Sequence, residues 1–176
     1  AHVRLQEYFA GLDQFEGIAQ AHDGSRHEVE ACRQIALIRL RMPDGYRERD
    51  GRQFWDRWVQ QSRYVNIERV NQREALSNLE RAYAVVTDLT GDPSASRVAR
   101  LDLALLRAQV AMELADVLEA EDRNHNHEQQ TLVIEQPGDE PDREVQVRVW
   151  TWPNRARILG LYDEAAHLYH GIAALG

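Results

Sequence analysis

Ser25, Arg26, Arg33 and Arg39 fall on one expected helix, where a hydroxyl and three guanidinium forks could take phosphate oxygens or base edges. The residues around them have the makings of a helix-turn-helix over residues 12–41. Ala19 is the small residue of a first helix, Gly24 lies in the turn, and Val29 is the branched apolar residue of the second, with Ile18 as a core neighbour. Gly24 stands one place later than in the common pattern, and Glu28 and Glu30 sit near the end that would enter a groove. An ordinary helical hairpin is the plainer assignment for the same residues.

Metal-ligating types occur in two places. His125 and His127 have a spacing that can chelate, and Glu164 and His167 form an i, i+3 pair with His170 one turn further. A dinuclear bundle centre wants a second such pair and more inward carboxylates, so no metal and no cofactor are expected. Cys32, the only cysteine, lies on an apolar stripe without a basic activator. There is no glycine-rich phosphate loop, nucleophile elbow or dinucleotide fingerprint. A non-enzymatic chain is expected, with a metal-dependent helix-bundle enzyme as the enzymatic alternative.

Composition bounds the rest. A chain of 176 residues suits one compact domain or a small head on an oligomerising stalk. All 21 basic residues are arginine, against 29 acids, for a net charge of −8. The acidity is concentrated in residues 124–152, and no strongly basic nucleic-acid surface is evident. No signal peptide is read, and no apolar run approaches the roughly 18–20 residues of a membrane span, so no membrane partner and a cytoplasmic setting are expected.

The elements that must position these groups are mainly α. Residues 1–50 read as a helical head: Val3–Ala21, weakened at Gly11 and Gly17, then a helix capped by Ser25 with Glu28 completing a capping box. Residues 51–123 read as a long helical hairpin hinged at Thr90-Gly91-Asp92-Pro93-Ser94, with Asp92 or Ser94 capping its second arm. In the first arm Trp58, Val65, Gln72, Leu79 and Val86 share a seven-residue register, polar at its middle, as in a hydrated seam between subunits. The second arm carries Val98, Leu101, Leu105, Ala108, Met112 and Ala115 on one stripe and Leu106, Val110, Leu114, Val117 and Leu118 elsewhere, so it must be surrounded. Residues 124–176 hold a polar break over 122–130, strands at 131–135 and 144–152, and a last helix. Phe54, Trp55 and Trp58, and Trp150 with Trp152, could anchor a partner.

This order of parts, with the stretch Gly91-Asp92-Pro93-Ser94-Ala95-Ser96-Arg97-Val98-Ala99-Arg100 followed by Leu105-Leu106, resembles the small terminase subunits of tailed phages. The resemblance implies a head that recognises double-stranded viral DNA through Ser25, Arg26, Arg33 and Arg39, and a hairpin that assembles a homo-oligomeric ring. It further implies β-hairpins that close a small barrel against a larger, ATP-driven motor subunit, in the host cytoplasm. A helical structural or adaptor protein that binds no DNA is the alternative from the same layout.

Overall fold

The computed structural model describes residues 2–41, 67–125, 127–134 and 143–174. Trp58 and Val65, with Phe54 and Trp55, lie outside the described residues. The described chain is mainly α: helices α1 (His2–Ala21), α2 (Arg26–Arg41), α3 (Ile67–Thr90) and α4 (Arg97–His125), strands β1 (His127–Ile134) and β2 (Arg143–Trp150), and helix α5 (Arg155–Ala173).

Helix α1 runs unbroken through Gly11 and Gly17. Packing overrides propensity here, because a Cβ at Gly11 would come within 3.2 Å of the Ile38 side chain, so the glycine lets α1 lie close against α2. Phe9, Leu12 and Ile35 form the small buried cluster between the two helices. The chain reverses at Gly24, which has φ +71°. Ser25 Oγ accepts from the amides of His27 and Glu28, as an N-cap should. Glu28 reaches back one residue further than a capping box predicts, to the amide of Gly24.

Helices α1, α2, α3 and α4 share a core of Ala19, Val29, Cys32, Ala82, Val86, Leu106 and Val110, so head and hairpin are joined by one buried cluster. A second cluster joins α3, α4 and α5 through Ala75, Leu79, Ala108, Ala111, Leu114, Leu118, Ile158, Leu161 and Ala165. The many alanines let the helices approach closely, and larger side chains interlock around them. Consecutive helices run antiparallel: Arg81 meets Glu28 while Glu74 meets Arg39, and Arg107 meets Glu164 while Asp116 meets Tyr162.

Three boundaries differ from expectation. Helix α4 starts at Arg97, with Ser96 Oγ accepting from the Ala99 amide, because Asp92 is occupied in a local turn with Ser94. At its other end α4 continues to His125, into the stretch expected to be a polar break. Strand β1 then begins at His127, and the two strands pair antiparallel within the chain, Leu132 opposite Val145 and Thr131 opposite Gln146. Val145, Val147 and Val149 are half-buried and Gln146 is exposed, the alternation a one-sided strand requires.

The start of α5 is held from a distance. The Asp122 carboxylate accepts from both the backbone and the side-chain N–H groups of Asn154, at 3.0 and 2.7 Å. No local side chain caps this helix.

Candidate functional site

Each residue expected to touch DNA has an internal role in the fold. Ser25 caps α2. Arg26 pairs with Glu30 at 2.9 Å and with Asp102 of α4. Arg33 forms a fork with Glu113, its Nε and Nη2 at 2.8 and 2.5 Å from the two carboxylate oxygens, and its Nη1 donates to Gln109. Glu113 also holds the Arg33 guanidinium charged, raising its pKa first by the hydrogen bond and against the opposing effect of burial. Arg39 pairs with Glu74 at 2.8 Å, while its Nε and Nη1 are buried without a hydrogen-bond partner among the described residues. The cleft beside these residues, about 540 Å³, has Phe15, Ile18, Leu105 and Leu106 as its apolar lining. Across it the charges of α2 already face opposite charges on α4.

The seam on α3 also points inward. Gln72 is buried, Leu79 packs against α4 and α5, and Val86 packs against α2 and α4. Among the described side chains, the exposed positions of α3 are instead Arg73, Ser77, Arg81, Ala84 and Asp88, a mainly polar ridge.

Glu164 and His167 do not converge. The Glu164 carboxylate turns into the bundle, where it accepts from Tyr83 Oη and from Arg107 Nε. Arg107 donates onward to Thr90 and lies 6.0 Å from the centre of the Tyr83 ring, so one buried-facing network ties α3, α4 and α5 together. His167 is exposed, with Nδ1 2.8 Å from the Asp163 carbonyl. His125 ends α4 and His127 begins β1. Among the described residues no three His, Cys, Asp or Glu side chains are grouped to hold a metal. Cys32 is fully buried, and burial pushes its thiol pKa up, away from thiolate chemistry.

Glu28 and Arg107 are the centres of the polar networks. Glu28 was expected only as a capping residue, and its partner Arg81 lies on another helix. Arg107 was missed, but it left a signal: it is a charged residue in the apolar stretch Leu105-Leu106-Arg107-Ala108, which demands a partner from elsewhere.

Tyr83 and Tyr162 have raised pKa values, first from burial and then from donating to Glu164 and Asp116 respectively. A phenol bound more tightly to its proton when folded stabilises fully below pH about 10, the unfolded value. That contribution is lost as pH rises through the higher folded value. Melting temperature is expected to fall between pH 10 and 12, and Tyr162→Phe is expected to make the fall shallower; an identical slope would remove the phenol from the explanation.

Among the described residues, what is outward-facing and apolar lies mainly on one side. The exposed large hydrophobics among them are Leu40, Val98, Leu105, Met112, Val133, Trp152 and Leu159. Val98, Leu105 and Met112 recur every seventh residue along the outer face of α4, between the α2 flank held by Arg33 and the α5 flank held by Tyr162. Trp152 and Leu159 continue the face around a cleft of about 430 Å³ that also includes Glu119, Arg155, Ile158 and Tyr162. Among the described residues, helix α4 is therefore enclosed on three sides and uncovered on the fourth.

Comparison with protein-family models, with curated proteins and with solved structures finds no match to this chain. Among the described residues no helix is long and apolar enough to cross a membrane.

Proposed function

We propose that this chain is a non-enzymatic helical assembly subunit that self-associates through the outer face of α4 and α5. The observation that carries it is the concentration of Val98, Leu105, Met112, Trp152 and Leu159 on that face, opposite a polar α3 ridge. Contiguous exposed apolar surface on a folded chain marks a place where another surface docks. The same geometry supports the structural or adaptor form of the reading over DNA recognition through α2, because Arg26, Arg33 and Arg39 each hold a carboxylate partner. A phosphate would have to displace those partners and leave them facing it.

Sedimentation velocity across a concentration series tests the proposal. The native chain is expected to shift to a larger species with rising concentration, and Leu105→Glu with Met112→Glu to remain monomeric with an unchanged helical circular dichroism spectrum. A native chain that stays monomeric at about 100 μM would sink the idea. DNA affinity that falls steeply with salt and drops on Arg33→Ala would restore the recognition role instead.

A further inference from the structure

The face on α4 is nearly symmetric end to end. Val98 and Met112 each stand seven residues from Leu105, so an axis through Leu105 exchanges one apolar residue for another. The charges along the helix are not symmetric. Arg97 and Arg100 occupy its first turn, which holds no acid, whereas Glu113, Asp116, Glu119 and Glu121, with the buried Asp122, outnumber the single arginine, Arg123, in its second half. That order is the reverse of what the helix dipole favours, since cations suit the C-terminal end and anions the N-terminal end. An antiparallel copy corrects it from outside. A parallel copy would set Asp102 and Asp116 against themselves.

The lengths of the two halves agree as well. From Leu105 to Glu119, at the rim of the Trp152–Leu159 cleft, is about 21 Å of helix. From Leu105 back to Arg97 is about 12 Å of helix, and the Asp92–Ser96 turn extends that arm to a similar reach. The turn is built to be presented: Asp92 is exposed and uses only its Oδ1 on the Ser94 amide and hydroxyl, with Pro93 at its tip. The cleft has complementary chemistry, an exposed indole at Trp152 and the guanidinium of Arg155.

Resting on the self-association reading above, we infer that the partner is a second copy of this chain, docked antiparallel about a two-fold axis at Leu105, with the Asp92-Pro93-Ser94 turn of each copy seated in the other's Trp152–Leu159–Tyr162 cleft. Arg155 then meets Asp92 of the second copy, and Pro93 lies on Trp152. Arg97 comes to the level of the second copy's Glu113 and Asp116. The paired face is on the order of 600 Å² per chain, two helices wide and about 30 Å long. This approaches the roughly 800 Å² per partner of a standard interface, so a closed dimer dissociating in the micromolar range is expected.

Cross-linking of the full-length chain with a short bismaleimide reads the register, and sedimentation velocity reads the affinity. Leu105→Cys alone is expected to give a covalent dimer. Val98→Cys mixed with Met112→Cys is expected to give one too, while neither of those variants links to itself. The native chain, whose Cys32 is buried, serves as the unlinked control. Asp92→Arg and Arg155→Asp are each expected to weaken the dimer at least tenfold, and the two together to restore it to within about threefold. Self-linking of Val98→Cys would show a parallel pair, and a species larger than a dimer with unlinked Leu105→Cys would show a ring. Either result overturns this arrangement while leaving self-association standing; a monomer at every concentration overturns both.

Discussion

Glu28→Ala is expected to lower stability by about 3 kcal/mol, a fall of roughly 6–12 °C in melting temperature for a chain of this size. The Glu28 side chain is 1% exposed, yet its carboxylate serves three elements. One oxygen accepts from Gly24 in the α1–α2 turn and the other, at 2.5 Å, from Arg81 of α3. Burial tends to lower the Arg81 pKa, but its hydrogen bond and attraction to Glu28 raise it overall, so the guanidinium is held charged. Alanine leaves the Gly24 amide without its acceptor, empties the buried space of the glutamate side chain, and leaves the half-exposed Arg81 with only its longer contact to Asp23 at 3.3 Å. Glu28→Gln keeps the shape and one acceptor, and should recover about half of the loss. Thermal and urea unfolding of both variants check this; a change below about 1 kcal/mol for alanine would mean that water replaces the carboxylate.

Leu79→Ala should cost about 3 kcal/mol as well, and its concentration dependence is as informative as its size. Leu79 is 1% exposed and sits among Ala108, Ala111, Leu114 and Leu161. Neighbouring alanines have little side chain with which to refill the space, so the cavity persists and the cost lies well within the range for leucine truncation. A residue buried within one chain loses this stability equally at 1 and 100 μM protein. A residue at a subunit seam would show a penalty that shrinks as mass action restores the assembly. Denaturant unfolding at both concentrations separates the two roles, and the expected result is no difference.

Most elements were legible from local chemistry. Ser25 announced the start of α2, Pro93 and Gly91 the reversal between α3 and α4, and the alternation of Val145, Val147 and Val149 the second strand. Legibility ended where two distant segments decide together. Asp92, Ser94 and Ser96 are all competent caps, and the choice of Ser96 follows from Asp92 closing its own turn. The register Gln72, Leu79, Val86 is correct as a face of α3, but periodicity names a face and not what covers it; helices α2, α4 and α5 from the same chain cover it. The arginines of α2 looked available because their carboxylates, Glu74, Asp102 and Glu113, are 35 to 80 positions away in sequence. The bare side of α4 was hidden for the opposite reason. Its apolar residues outnumber what one core can take, and only the packed structure shows which of them are left outside.

The clip between Asp122 and Asn154 also bears on how the chain moves. A helix whose first turn is capped by its own side chain can fray and re-form alone, with its end amides exchanging quickly. The first turn of α5 has no such autonomy, because its anchoring carboxylate is 32 positions upstream on another helix. Opening at Arg155–Ile158 therefore requires α5 to separate from α4, which exposes Ile158 and Leu161 in the same event. The end of this helix is a latch, and its amide protons report the detachment of the whole C-terminal arm.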